Sequence, residues 1–540
     1  MPEAPAPPVH PTDAPSTEPA RRGRNWPRKW TLTVACLGVS LVIASMVALN
    51  TALPDIAMET SASQTQLTWI VDAYTLALAC LLLPAGAIGD RYGRRGALVF
   101  GLVVFAAASA IPLVWTQPVI LVVARAAAGV GAAFIMPATL SLLTSAYPAE
   151  QRAKPVGIWA GVAGSGAIIG MLGTGALLHF WSWPSIFWAF LVASVGLIPL
   201  SLTIATSKES EPTPIDWLGA AVIGSAVAAL VFGMLEAPAR GWTHPLVLAC
   251  LTAGAVLSLL FVIVELRRRH PLLDVRLFGD PTFATGAAAI TVFFLAMFGF
   301  FFLSMQYIQL VMGYDAIRTA LALSPLTGPM LVLSVLSFWY VPRLGLRLVV
   351  LVGLLLVAAG FLAMRTLEIG SPYWHLAWPL LILSSGIGLC TAPTTSAIMT
   401  SVPDDKQGVA SAVNDTTREI GAALGIALTG SMLAARYTSA LAPQLTAFPE
   451  PVRAAATRSL GEALGLAPRL GPQAAHLVEI SKGAFLTAME SSVLVLGIVV
   501  AGCAVLISLW APGRDGQQLA VVRRARDRAG RLAAFLVREG

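Results

Sequence analysis

Five ionisable residues, Asp72, Arg125, Asp415, Arg418 and Glu419, stand in stretches that are otherwise almost wholly apolar. In a lipid bilayer each such group costs about 2.5–3.5 kcal/mol at mid-depth, so its presence asks for a partner, a hydrated path or a proton to carry. Asp72 follows Trp69-Ile70-Val71, and Arg125 opens Arg125-Ala-Ala-Ala-Gly129-Val-Gly131. On a helix, spacings of three and four set Asp415 over Arg418 and Glu419 on one face. The chemistry open to this set is proton exchange at a buried carboxyl, whose proton affinity burial and a nearby guanidinium such as Arg125 tune in opposite senses. Asp72 is the first candidate and Asp415 the second. Helix-to-helix glue and an internal, purely stabilising ion pair remain open readings, and Glu236, Glu265 and Glu490 fit snorkelling near helix ends. Catalysis has no support: the six histidines are scattered, and all five cysteines lie in apolar segments with no CxxC pair. No Walker motif offers ATP as an energy source.

The elements that must hold these residues are membrane helices. Hydrophobic residues make up 56 % of the chain and charged ones 12 %, with mean hydropathy +0.76, whereas about a quarter charged is usual for a soluble domain. With about 20 apolar residues per crossing, the chain offers fourteen segments, from 30–53 through 118–146 and 407–436 to 485–511. Loops on one side hold Arg91, Arg94, Arg95, Arg152, Lys154, Lys208, Arg267, Arg268, Arg269, Arg276, Arg343, Arg347 and Lys406, against Arg240, Arg318 and Arg365 in the short loops opposite. By the positive-inside rule both termini are then cytoplasmic. The net charge of +7 thus reports topology and anionic lipid, not nucleic acid. Residues 1–29 read as a disordered basic cytoplasmic tail without a cleavable signal. Residues 512–540 form a second basic tail in which Val522, Ala525, Ala529, Leu532 and Leu536 share one helical face. The external segment 437–484 is broken by Pro443, Pro449, Pro451, Pro468 and Pro472. In the fifth segment Gly157, Gly161, Gly164, Gly166, Gly170, Gly173 and Gly175 permit close helix approach.

Between the second and third segments lies Gly86-Ala-Ile-Gly-Asp90-Arg91-Tyr-Gly93-Arg94-Arg95, a charged hairpin whose pattern resembles the loop at that place in major facilitator superfamily transporters. With Asn50-Thr-Ala-Leu-Pro54, Trp69-Ile-Val-Asp72-Ala-Tyr74 and His270-Pro-Leu-Leu-Asp274-Val-Arg276, the chain from about residue 30 to 510 resembles the fourteen-helix drug:proton antiporters. The resemblance implies an all-α membrane fold with an N-terminal six-helix bundle (30–206), two inserted helices (217–266) and a C-terminal six-helix bundle (283–511). It implies that Gly86, Asp90, Arg91, Gly93, Arg94 and Arg95 latch the bundles, that Arg125 belongs to proton movement, and that Gly161, Gly166, Gly170, Gly173 and Gly175 match the antiporter helix. Proton coupling then falls to Asp72, Arg125, Asp415 and Glu419, and Ser45, Trp69, Asn414 and Arg418 are candidates for the substrate cavity. Three departures stand out: Ser45 replaces a first-helix aspartate, Met330 an acidic position, and Asn414-Asp415 an acidic pair. Met171 and Thr174 also depart from the fifth-helix signature. With fewer carboxylates, lipophilic monocations or neutral compounds fit better than dications. The expected protein is a monomeric multidrug exporter of the bacterial plasma membrane, driven by the proton gradient without a cofactor or metal. Its alternatives are a proton-coupled uptake symporter and an exporter of a lipid-like metabolite.

Overall fold

The computed structural model describes residues 26–60, 62–207 and 214–519. Lys208, the C-terminal amphipathic face and most of the N-terminal tail lie outside the described residues. Among these residues the chain is helical throughout, as a lipid-exposed backbone must be to satisfy its own polar groups. The helices are α1 (Trp26–Thr60), α2 (Gln64–Tyr92), α3 (Arg94–Ala110), α4 (Pro118–Ala146), α5 (Ala153–Phe180), α6 (Pro184–Leu202), α7 (Trp217–Arg240) and α8 (Pro245–Arg267). They continue as α9 (Pro281–Gln306), α10 (Ala316–Leu323), α11 (Thr327–Ala363), α12 (Tyr373–Thr400), α13 (Gln407–Leu441), α14 (Glu450–Ala456), α15 (Leu460–Leu466) and α16 (Ala474–Trp510). Thirteen helical stretches among the described residues are long and apolar enough to span a bilayer, and one, Ile317–Thr366, is 50 residues long. Inside it Gly345 leaves the helix at φ 77°, ψ 159°, so that stretch makes two crossings and the total is fourteen. An even number returns the chain to the face on which it starts, here called the terminal face.

Local signals set the helix ends. Ser63 and Gln66 form a reciprocal capping box at the start of α2, and Asp216 and Asp280 accept backbone N–H groups at the starts of α7 and α9. Gly93, at φ 114°, lets α2 end and α3 begin within one residue. The segment 437–484 is more ordered than its prolines imply: α14 and α15 form short helices with Leu445, Ala456, Leu460 and Ala463 buried, and α16 begins at Ala474 rather than near 485. This cap is tied down by Lys482 Nζ, which donates to the Val311 carbonyl at 2.9 Å.

Lipid supplies no hydrophobic drive between helices, so close packing must hold them, and glycines mark the contacts. Gly101 and Gly131 face each other across α3 and α4, Gly353 and Gly386 across α11 and α12, and Gly421 and Gly425 lie on α9 backbone. Within the first bundle Gly166 and Gly170 of α5 lie on Ile43 and Ala44 of α1. Between bundles Gly157, Gly161 and Gly164 of α5 meet Ser334, Leu331 and Met330 of α11, and Gly86 of α2 meets Gly408 and Ala412 of α13. The inserted α7 packs on both α2 and α13, closing the groove between bundles with Ala79, Val227, Val231, Ala423 and Ala427; α8 covers α7 and is largely exposed on its lipid side. A Cβ at Gly425 would strike the Leu295 carbonyl, whereas Gly502 on α16 has nothing within 4 Å. Overpacking costs about 1–3 kcal/mol, so Gly425→Leu is expected to lower the melting temperature of the detergent-solubilised protein by about 3 °C or more. Gly502→Leu should leave it unchanged, and fluorescence-detected size exclusion after heating reads both.

Candidate functional site

The most charged part of the interior is one face of α13, where Asn414, Asp415, Arg418 and Glu419 are all buried. Asn414 Nδ2 donates to Asp415 Oδ1 at 2.9 Å, and Arg418 Nη1 stands 4.0 Å from the same oxygen. Arg418 Nη2 donates to Thr395 Oγ1 of α12 at 3.2 Å. Its guanidinium carbon lies 5.1 Å from the ring of Trp159 on α5 and 5.3 Å from that of Phe294 on α9, so aromatic faces supply part of the stabilisation that a carboxylate would otherwise give. Asp415 Oδ2, Glu419 Oε2 and Arg418 Nε have no hydrogen-bond partner among the described residues. Two carboxyls against one guanidinium, with oxygens unfilled, leave room for one more positive charge, a proton or a cationic ligand.

Arg418 and Glu419 form the polar wall of a small cavity between the bundles, about 20 Å³, whose other walls include Met46 of α1, Met136 of α4, Gly164 of α5 and Phe294, Met297 and Phe298 of α9. An adjoining apolar cavity shares Gly164 and Met297 and reaches Phe300, Phe301 and Met330. Methionine and phenylalanine walls adapt to varied apolar shapes, while the pair on α13 recognises charge. A roomier groove between α1, α5 and α6 is bordered by Leu37, Gly173 and Val192. Ile169 and Val192 there are exposed, which is the character of a lipid-facing surface, and no charged group lines it.

Arg125 sits in a cage within the first bundle. Its Nη1 donates to Ser45 Oγ at 2.8 Å, Nη2 to the Ser45 carbonyl at 3.1 Å and Nε to the Ile70 carbonyl at 3.1 Å, and its guanidinium covers the Tyr74 ring at 4.2 Å. The expected pairing of Asp72 with Arg125 is not formed: among the described residues no hydrogen bond or ion pair joins them. Asp72 is half-buried and is influenced by Glu236 of α7, which itself pairs with Arg240. Helical periodicity places Asp72 on a buried face without saying which neighbour it meets. Two cavity candidates also stand elsewhere, Ser45 as the partner of Arg125 and Trp69 with its ring tilted against that of Phe232 of α7, 5.8 Å between centroids. Asn414 lies behind Arg418, bonded to Asp415.

At the terminal face the charged hairpin grips the second bundle. Asp90 Oδ1 accepts Gly408 N–H at 2.8 Å and Oδ2 accepts Val409 N–H at 2.9 Å, so the carboxylate of α2 fills the N-terminal anion site of α13. Arg94 bonds Asp90 Oδ1 at 2.7–2.8 Å, donates to the Asp404 and Asp405 carbonyls at 3.0 and 3.2 Å, and contacts Ser145 and Ser207. Arg152 adds an ion pair to Asp404 at 2.8 Å. Arg95 instead holds the end of α6 through the Leu202 and Ile204 carbonyls, and the Arg91 guanidinium lies over Tyr92 at 5.4 Å. A Cβ at Gly86 would stand 2.5 Å from the Gly408 carbonyl, so bare backbone is what lets the grip close. The α5 glycines divide: Gly161 faces α11, Gly175 faces Ile317 of α10, Gly166 and Gly170 face α1, and Gly173 has no neighbour within 4 Å. Trp159, Phe294, Thr395 and Gly408 carry no functional sign in the sequence, and Tyr74 shows there only as the end of the Trp69-Ile-Val-Asp72-Ala-Tyr74 stretch. The aromatic run of α9 was visible, but nothing in it separates a cavity wall from a core.

The sequence model described as Major Facilitator Superfamily matches residues 35–426. Among curated proteins the chain is 34 % identical over 428 residues to Multidrug resistance protein Stp of Mycobacterium tuberculosis, covering 78 % of this chain and 79 % of that one. It is 30 % identical to the Tetracenomycin C resistance and export protein of Streptomyces glaucescens, covering 90 % and 91 %. It is 31 % identical to Multidrug efflux pump LfrA of Mycolicibacterium smegmatis, covering 89 % and 96 %. Among solved structures it matches a bacterial homolog of the human lysosomal transporter Spinster at TM-score 0.57 and 18 % identity, covering 90 % of this chain and 98 % of that one. It matches the proton:xylose symporter XylE at TM-score 0.57 and 14 % identity, covering 91 % and 97 %.

Asp90→Asn keeps the shape of the grip and removes its charge. It is expected to raise maleimide labelling of a single cysteine at Ala412, which is buried beside Gly86, several-fold in an otherwise cysteine-free protein. Unchanged labelling would assign the closure to glycine packing instead.

Proposed function

Because the chain belongs to the major facilitator superfamily, and so is a secondary transporter rather than an enzyme, we propose that it exports lipophilic cationic or neutral drug-like compounds in exchange for protons. The observation that carries this reading is the seam between the bundles around Arg418 and Glu419, otherwise walled by methionine, phenylalanine and small residues; closed here to about 20 Å³, it must widen as the bundles part to seat a compound. Relatives named for multidrug resistance and efflux support it. The protein acts as a monomer in the bacterial plasma membrane, with the terminal face cytoplasmic, and the proton gradient is its only energy source.

Substrate sits at mid-membrane while the two bundles rock about it. Glu419, with an unfilled carboxylate oxygen on the cavity wall, is the exchange site, supported by Asp415. An ionised Glu419 attracts a lipophilic cation, and a protonated one does not, so proton and substrate compete for one place. Arg418, braced by Trp159, Phe294 and Thr395, limits the site to a single added charge, which disfavours dications. Arg125 braces α1 against α2 and shares Tyr74 with the region around Glu419. Asp72, facing α7, plays a lesser part than its sequence context implies. One proton entering down 100 mV yields about 2.3 kcal/mol and one pH unit about 1.36, together enough for a gradient of several hundredfold.

In energised cells wild-type ethidium efflux should collapse on adding a protonophore. Glu419→Gln should lose uphill efflux at normal membrane levels, while Asp72→Asn retains most of it. Accumulation of ethidium against its gradient in place of efflux would establish uptake, and a fully active Glu419→Gln would move the exchange site to Asp415 or Asp72.

A further inference from the structure

The polar face of α13 does not stop at the cavity. Counting back from Glu419, Asp415, Ser411 and Gln407 follow at steps of four residues, about one helical turn, with Asn414 bonded beside Asp415, all buried, and the last lies beside the 404–406 turn of the terminal face. Each presents an atom without a partner among the described residues: Glu419 Oε2, Asp415 Oδ2, Asn414 Oδ1, Ser411 Oγ and Gln407 Oε1. The hydroxyl of Ser411 differs from most of its kind here. Ser141, Thr144, Thr391, Thr394 and Ser431 satisfy theirs on carbonyls of their own helix, whereas Ser411 leaves that bond unmade. Gln407 is held in place by its amide nitrogen, which donates to the Met399, Val402 and Pro403 carbonyls at 3.0, 2.9 and 3.3 Å, and this leaves its oxygen unmatched.

Side chains one helical turn apart are about 5–6 Å from each other, too far for a direct hydrogen bond and close to the span of one bridging water with two bonds of about 2.8 Å. A buried polar atom without a partner is unfavourable, and a water with two to four polar neighbours removes the penalty. Such atoms at four successive turns along about 18 Å of helix make a wire, while Thr416 of the same helix falls outside that four-residue register, Thr429 lies beyond its span, and unpartnered hydroxyls such as those of Ser165, Ser201 and Thr285 lie on other helices.

We propose that Gln407, Ser411, Asn414 and Asp415 line a single-file water path by which the proton on Glu419 leaves to the terminal face while the Asp90 grip is still closed to substrate. The idea rests on the proton-exchange reading above. No covalent bond changes: Glu419 gives up its proton, each water passes one on, and the solvent at the 404–406 turn receives it. The other titratable or charged groups around Glu419 are Arg418 on its own helix and Tyr74 of α2, with Arg125 of α4 over the Tyr74 ring; none lies on the path. Ser411, Asn414 and Gln407 are positioning residues for water.

The test uses purified full-length protein in liposomes, with a trapped pH dye reporting proton movement driven by added ethidium, and with proton-independent exchange of ethidium against ethidium measured in parallel. Ser411→Val and Ser411→Thr introduce side chains of the same branched shape, and only the threonine keeps the hydroxyl. The expected result is ethidium-driven proton movement slowed by about tenfold or more in Ser411→Val, recovered in Ser411→Thr, with ethidium exchange within about twofold of wild type. Equal loss of both activities in Ser411→Val, or no loss of either, would overturn the path while leaving proton-coupled export intact. A wild type that exchanges ethidium without moving protons would overturn export by proton exchange, and the path with it.

Discussion

The carboxylate of Asp90 in the N-terminus of α13 is the contact on which the arrangement depends. One side chain from the first bundle receives two backbone N–H groups of the second and orients Arg94 onto the 404–405 carbonyls. A helix N-terminus favours an anion and its unpaired N–H groups need acceptors, so the grip satisfies both partners at once. Pairs of this kind gain from low dielectric and lose heavily when one member leaves, which suits a contact that must be either closed or open. Gly86 and Gly408 set its tolerance, because a methyl on either would hold the backbones apart.

That contact anchors the N-terminal end of α13, while packing on α9 and α16 holds the rest of that helix. Arg125 is a completed interaction, with its guanidinium bonded to Ser45 and Ile70 and seated on Tyr74. The Asp415, Arg418 and Glu419 group is an incomplete one, with oxygens unfilled beside a cavity. The same distinction separates Arg125, whose guanidinium is matched by Ser45 and Ile70, from the α13 group with its unmatched oxygens.

Much of this was legible in the sequence, for reasons that differ by element. Membrane crossings show because lipid demands about 20 apolar residues, and even the break near 341–346 coincides with Gly345. The hairpin showed because charge and glycine are conspicuous between apolar runs. The ordered 437–484 cap did not show, since its short helices depend on burying Leu445 and Leu460 against the rest of the fold. Pairing was the weakest point: Asp72 and Arg125 each announce themselves, but only packing reveals that Asp72 is influenced by α7 and that Arg125 meets a serine. Cavity walls were equally silent, because Met297 and Phe294 have the same composition in a core as beside a substrate.

The central claim, that Glu419 is the proton-exchange site about which the two bundles rock, is tested most directly by spin-label distances across the terminal face. Labels at Tyr92 and Ser401, in a cysteine-free background, should give two distance populations whose ratio shifts with pH in the wild type and is fixed in Glu419→Gln. A Glu419→Gln protein whose distances still follow pH as the wild type does would contradict the account.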